Sequence, residues 1–475
     1  MKDSIVIYPS PGRGHLVSMI ELAKLILTHY PSFSITVIIP EAPFETGSTD
    51  EYVESISATV PSITFHHLPT IPTTTTTTTT SATTSSSSLD IQTQTFELSL
   101  QNNHNFHQAL LLISKSSNIK ALILDFFCNP SFKISAILEI PTYYYKPGGL
   151  SSLTVFLNLP TIHKNTTKSL KELGNKEINI PGMPVPLRAK DMPYPMQDRT
   201  RKVYHYFLET AIQMPKSAGI IVNTVETLEK TALNAILDGQ CTPRQPAPRI
   251  YCIGPLIVSS DGSRSGESRH ECLNWLDMQP KGSVVFLSFG SLGKFSAPQL
   301  KEMALGLEKS GVRFLWVVRP PEGAVDAILE SLLPQGFLER TKDRGYVAKS
   351  WAPQVQVLSH ESVGGFVCHC GWNSVLEAIR GGVPMLVWPI YAENKLNKVS
   401  VVEELKVALA VEAEDDGLVS AEELEKLITK LINSKEGKLI KERVMGLKEE
   451  VSVALKEGGP SRVALANLIE SILKN

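Results

Sequence analysis

The chain has 475 residues, of which 42% are hydrophobic and 20% charged, with a formal net charge of −2. At about 150 residues per domain, that length predicts two or three domains with sizeable cores. So even a charge balance removes the electrostatic reason to expect nucleic acid or an anionic membrane surface as a partner.

The N-terminal MKDSIVIYPSPGRGH holds an apolar run only from Ile5 to Tyr8. That is too short for a signal-peptide core, and Ser4–Tyr8 reads as a first strand. Pro11-Gly12-Arg13-Gly14 permits a tight turn into a helix over Leu16–Leu27, with His15 at its start. Ser34–Ile39 is a second strand. Thr73–Ser88 is almost pure Thr and Ser, cannot bury apolar area, and is expected to be a disordered surface loop. Ala121–Leu124 reads as a strand ending at Asp125, and Gly219–Val222 as another. Strand carboxyl ends share one edge of a parallel sheet, so His15 and Asp125 can meet across a long stretch of sequence. Phe126, Phe127 and Tyr143-Tyr144-Tyr145 are candidates either for lining a pocket or for filling the core.

Ile253-Gly254-Pro255-Leu256 and the polar stretch Ser259–Glu267 mark a linker. After it the pattern restarts. Ser283–Ser288, Arg313–Val318, Gly365–Val367 and Met385–Trp388 read as strands, and Ser296–Glu308 and Ser374–Ile379 as helices. Alternating strands and helices predict an α/β fold with two doubly wound domains facing a cleft. The expected boundaries are 1–252, a linker over 253–272, 273–458, and a final helix over 459–475 that packs back on the first domain.

No run of about 18 apolar residues occurs, so no membrane span is expected. Six scattered cysteines in a large chain suggest free thiols and a cytoplasmic location. Cys368-His369-Cys370 is badly arranged for a tetrahedral metal, because alternate residues of an extended segment point to opposite faces.

Gly371-Trp372-Asn373-Ser374-Val375-Leu376-Glu377 suggests a helix with Asn373 as N-cap and Gly381-Gly382 as its stop. Unpaired N–H groups at a helix start suit a diphosphate. Glu377 lies one turn further along the same face, about 5–6 Å away, where a carboxylate can accept two hydrogen bonds from a ribose diol. A capped core helix with a surface glutamate fits this heptad equally well.

The longer stretch WAPQVQVLSHESVGGFVCHCGWNSVLEAIRGGVPMLVWPIYAEN, Trp351 to Asn394, resembles the signature box of plant family 1 UDP-glycosyltransferases. IGPL at Ile253–Leu256, NWLD at Asn274–Asp277 and FLWVVR at Phe314–Arg319 extend the resemblance along most of the chain. It implies two Rossmann-like domains of GT-B type, with a UDP-sugar, most simply UDP-glucose, as co-substrate and no separate cofactor. Trp351 would stack on uracil, with Ala352 and Gln354 near its polar edge. His369, Gly371, Ser374 and Ser291 would serve the diphosphate, and Trp372 and Asn373 would lie near sugar and phosphate. Glu377 would hold the ribose, and Glu393 and Asn394 the sugar hydroxyls. His15 would be the general base and Asp125 its support, in an inverting transfer. The chain contains no Asp-x-Asp motif, so no metal ion is expected. The N-terminal PGRGHLVSM and the YAENKLNKV continuation look most like the branch that glycosylates isoflavones, chalcones and related phenolics, which implies a flavonoid-type phenolic acceptor; a monomer is expected.

Two residues depart from the family pattern. Asn394 stands where the family usually has Gln, one methylene longer, and Lys146 stands where a hydroxyl residue is common. Both leave open a different UDP-sugar, and C-transfer remains open beside O-transfer. Two rival functions are weaker. Gly12-x-Gly14 with Glu41 is part of a dinucleotide fingerprint, but Val17 replaces its third glycine. A non-catalytic nucleotide-sugar binder would have no need of the His15 and Asp125 pair.

Overall fold

Apolar runs without alternation form strands covered on both faces. Ile5, Val6, Ile7 and Tyr8 are all fully buried, as parallel sheets between helix layers require. The computed structural model describes residues 1–42, 49–71, 87–243, 245–257, 269–321, 328–412 and 417–474, with 87–90 as backbone only. The Thr/Ser tract through position 86 and the polar stretch Ser259–Glu267 lie outside the described residues, while Ser87 and Ser88 open a helix that runs to Gln101. The chain divides into two compact units, Met1–Leu256 with Glu457–Asn475, and Ile257–Lys456.

The first unit is built on a seven-stranded sheet. Its strands are β1 (Lys2–Tyr8), β2 (Ser34–Ile39), β3 (Ile63–His67), β4 (Ser117–Asp125) and β5 (Thr142–Lys146), with β6 (Glu177–Ile178) and β7 (Leu187–Arg188) forming a separate small ladder, then β8 (Gly219–Val222) and β9 (Ile250–Cys252). The order is β3-β2-β1-β4-β5-β8-β9, with every pairing parallel. The helix Arg13–His29 lays Leu16, Met19, Ile20, Ala23 and Ile26 on one face of this sheet. The helix Pro460–Lys474 adds Leu465, Leu468, Ile469 and Ile472 to the same core. Two side-chain hydrogen bonds fix it there: Ser461 Oγ donates to the Gly254 carbonyl at 2.7 Å, and Tyr143 Oη meets Ser471 Oγ at 2.8 Å.

The second unit has six parallel strands, β10 (Val284–Ser288), β11 (Arg313–Val318), β12 (Gly345–Lys349), β13 (Val363–Cys368), β14 (Met385–Val387) and β15 (Ala408–Ala410), ordered β12-β11-β10-β13-β14-β15. Both units are therefore Rossmann-like. In each, strand order reverses once, between β1 and β4 and between β10 and β13. Open α/β sheets bind ligands beyond the strand ends at such a switch point.

Sequence patterning found the long central strands and missed β3, β9, β12 and β15. These are short or lie toward the sheet edges, where partial exposure breaks the apolar run. It also missed β5, and that omission corrects the reading of the tyrosine run. Tyr143, Tyr144 and Tyr145 are strand residues with no exposed surface, so they fill the core and line no pocket.

Candidate active site

The first constellation sits at the switch point of the first unit. Gly12 has φ 119°, a conformation costly for any side chain, and turns the chain from β1 into the helix at Arg13. His15 is thus in the first helical turn, and its Nδ1 lies 2.8 Å from Asp125 Oδ2 at the end of β4. Asp125 is completely buried and also accepts a hydrogen bond from the Phe127 amide on Oδ1 at 3.0 Å. A buried carboxylate that accepts from Nδ1–H selects the tautomer in which Nε2 carries the lone pair that takes a proton. The imidazole side chain is 34% exposed. The half-buried Phe127 ring meets His15 edge-on at 5.6 Å. Behind it Phe96, Phe126, Phe156 and Phe207 interlock with centroid spacings of 4.7–6.0 Å. Phe126 is buried in that cluster, and Phe127 is the one of the pair that reaches both His15 and the surface. Sequence reasoning missed Phe96, Phe156 and Phe207, because they come from three separate helices.

The second constellation sits at the switch point of the second unit. The helix there runs Trp372–Gly381, and its N-cap is Gly371, with φ −66° and ψ 139°. Asn373 is therefore inside the first turn and exposed, not the cap predicted from its residue type. A Cβ on Gly371 would lie 2.3 Å from His369 Nε2, so a larger residue at this cap would crowd that ring. At the other end Gly382 takes the left-handed conformation, φ 71°. Lys441 and Lys448 donate to the Gly382 and Gly381 carbonyls at 2.7 and 3.3 Å. Cations at the C-terminus complement the helix dipole, whose positive end lies at Trp372 and Asn373.

Three predicted donor residues meet through side chains. Gln354 Nε2 donates to Ser374 Oγ at 3.0 Å and to Glu377 Oε2 at 2.6 Å. Burial pushes the Glu377 carboxyl up to about 7, opposed by the Gln354 hydrogen bond. The alternative of a simple surface glutamate does not describe this group. Ala352 is buried, and Trp351 beside it is 61% exposed, unusual for so large an apolar ring. Its edge meets His270 at 5.5 Å, a neighbour that sequence reasoning did not foresee.

His369 is buried and stacks on Tyr391 at 5.3 Å. Gly290, with φ 72°, lies against both, since a Cβ there would come within 2.8 Å of the His369 ring and 3.1 Å of the Tyr391 hydroxyl. That glycine brings the exposed Ser291 loop, just after β10, next to His369. Burial lowers the His369 pKa to about 4, and the Glu393 carboxylate only partly offsets this, so the ring is neutral near pH 7. Its Nδ1 is buried with no hydrogen-bond partner among the described residues. Asn394 Nδ2 is likewise buried and unpartnered there. Glu393, half-buried, precedes Asn394 at the start of the helix Asn394–Val399. Trp372 is buried, which places its ring in the helix packing. Asn397 holds the turn before the helix by donating to the Cys370 carbonyl at 2.9 Å.

All six cysteines are free and buried. Among the described residues no group of three or more His, Cys, Asp or Glu side chains is placed to hold a metal ion, and no helix is long and apolar enough to cross a membrane. Glu41, part of the incomplete dinucleotide fingerprint, is engaged by His67 Nδ1 at 2.9 Å.

Residues 259–450 match the family described as UDP-glucoronosyl and UDP-glucosyl transferase. Over 471 residues the chain is 47% identical to UDP-glycosyltransferase 88B1 of Stevia rebaudiana, covering 99% of this chain and 98% of that one. It is 48% identical to anthocyanidin 5,3-O-glucosyltransferase of a Rosa hybrid cultivar, covering 98% of each. Its fold matches that of Phytolacca americana UGT2 complexed with UDP-2fluoro-glucose and pterostilbene, with a TM-score of 0.87, 35% identity and 99% of each chain covered. The chain belongs to the plant family 1 UDP-glycosyltransferases and has their GT-B type of fold, two Rossmann-like domains. It is an enzyme of the glycosyltransferase class.

Proposed function

We propose that this enzyme transfers glucose from UDP-glucose to a hydroxyl of a flavonoid-type phenol, with inversion at the anomeric carbon and without a metal ion. The observation that carries the reading is the 2.8 Å contact between His15 Nδ1 and the buried Asp125. In the tautomer it selects, Nε2 takes the phenol proton as the phenolic oxygen bonds to the anomeric carbon. The bond from that carbon to the β-phosphate oxygen breaks, and its electron pair leaves with UDP. Asp125 then stabilises the imidazolium without taking the proton itself. Attack from the face opposite the leaving group inverts the centre.

The second unit supplies the donor groups. Trp351 offers an exposed aromatic face for uracil, and Glu377, oriented by Gln354, accepts from the ribose hydroxyls. The first turn at Trp372 and Asn373 presents backbone N–H groups and dipole to the diphosphate. Neutral His369 serves as a hydrogen-bond donor and not as a cation. The orphaned amide of Asn394 fits a sugar hydroxyl as partner. These fixed dipoles stabilise charge as it builds on the leaving UDP. Phe127 beside His15 offers an edge for a flat aromatic acceptor, consistent with the anthocyanidin named for the Rosa relative. Free buried thiols fit a cytoplasmic site of action.

The test is His15→Ala with UDP-glucose and a panel of flavonoids. Transfer should fall by orders of magnitude while UDP still binds, and the wild-type product should be the β-glucoside. Near-normal turnover in the variant would overturn the assignment of the base.

A further inference from the structure

The helix that carries His15 is packed on the sheet through its apolar face, and the contact with Asp125 adds a polar tie to β4. A second contact lies one turn along. Ser18, three residues after His15 and on the same face of the helix, meets the Tyr145 hydroxyl at 2.5 Å. Tyr145 is on β5, and the sheet register pairs it directly with Asp125 on β4. Paired residues of neighbouring strands project from the same face of a sheet. The first turns of the helix are therefore tied to adjacent strands at two successive points, His15 to β4 and Ser18 to β5. Both Ser18 and Tyr145 are buried, so water cannot substitute for either partner.

We infer that Ser18 and Tyr145 are positioning residues that hold the His15 imidazole in line with Asp125 for proton transfer. The inference rests on the reading of His15 as general base. Neither side chain touches the reacting atoms. The two polar tethers add directional restraint to the apolar packing of the helix, and a misplacement of about 1 Å at the chemistry costs roughly hundredfold in rate. The charged groups facing the phenol are Asp125 and Glu21, and Glu21 is itself paired with Lys24 at 2.7 Å. Burial raises the Tyr145 pKa, which keeps the phenol protonated as the hydrogen-bonding partner of Ser18.

A tyrosine that only filled the core would affect stability and leave kcat per folded molecule alone. The experiment compares Tyr145→Phe, Ser18→Ala, the double variant and His15→Ala, with kcat normalised to the folded fraction and UDP affinity measured by calorimetry. Each single tether variant should lose about tenfold in kcat, a fraction of the roughly hundredfold that a 1 Å misplacement costs. UDP affinity should be unchanged, and the double variant should be no worse than Tyr145→Phe, which alone removes both the Ser18 Oγ contact and the 3.5 Å donation to the Ser18 carbonyl. If Tyr145→Phe fails to fold, Ser18→Ala, the smaller truncation, decides alone. Normalised kcat within twofold of wild type in the folded variants overturns the inference, as does an additive loss in the double variant. If His15→Ala keeps its turnover, the base assignment falls first. If His15→Ala is inactive and the tether variants are normal, only the tether falls.

Discussion

Glu377 makes the pH dependence of UDP binding a direct test of the donor site. Burial raises its carboxyl to about 7 from an ordinary 4.5, and the ionised form accepts from both ribose hydroxyls through two charged oxygens, one of which protonation turns into an O–H donor. With a pKa of about 7, roughly nine-tenths of the protein carries the carboxylate at pH 8 and about one-tenth at pH 6. The Kd for UDP should therefore rise about tenfold between pH 8 and pH 6, or about 1.4 kcal/mol. Isothermal titration calorimetry across that range measures it. Uridine should show the same dependence, which separates the carboxyl from the titration of the terminal phosphate. Glu377→Gln should bind more weakly at pH 8 and lose the slope. The sign for stability is opposite to that of an ordinary ion-paired carboxylate. The folded state binds the proton more tightly than the unfolded chain, so this group lowers the stability of the protein without UDP as pH rises from about 4.5 through about 7. Parallel pH profiles for wild type and Glu377→Gln would refute the reasoning.

Gly371→Ala should weaken UDP binding by about tenfold or more, since its Cβ would meet His369 Nε2 at 2.3 Å and such overpacking costs about 1–3 kcal/mol; calorimetric titration with UDP checks it, and unchanged affinity would show that the ring has room to move. Asn394→Gln should change the relative rates with UDP-glucose, UDP-galactose and UDP-glucuronic acid, read by product mass, because the added methylene moves an amide nitrogen that is now buried and unpartnered among the described residues. Glu229→Gln should lower stability by about 2–3 kcal/mol in urea titration, because an amide NH2 would confront donors now satisfied by a buried carboxylate. Those donors are the Leu150 and Ser151 amides and the Ser151 and Thr224 hydroxyls, and only one amide oxygen would remain to accept from them.

Much of the fold was legible because parallel strands buried on both faces leave unbroken apolar runs. β1, β2, β10 and β11 announce themselves this way. β12 and β15 do not, because sheet edges and three-residue strands leave too little pattern. The donor box was legible for a different reason. Its residues lie close together in sequence, so local helix geometry alone places Glu377 one turn beyond Asn373. The error at the N-cap was also local. Asparagine is the better capping residue in isolation, but the helix begins earlier, with its cap at Gly371, where a Cβ would crowd His369.

Sequence by itself determined the α/β alternation, the family and the short-range order of the donor helix, because each depends on periodicity or on neighbours a few residues apart. Tertiary structure alone decided which distant residues meet. It brought Gly290 to His369, Tyr145 to Ser18, and Phe96 and Phe207 to Phe127, and it gave the expected pair of His15 and Asp125 its 2.8 Å geometry. It also decided protonation. Glu377 and His369 are ordinary residues by type, and burial makes one carboxyl hold its proton to about 7 and keeps the imidazole neutral. Desolvation is a property of the surrounding packing, to which residues from many parts of the chain contribute, so no local stretch of sequence records it.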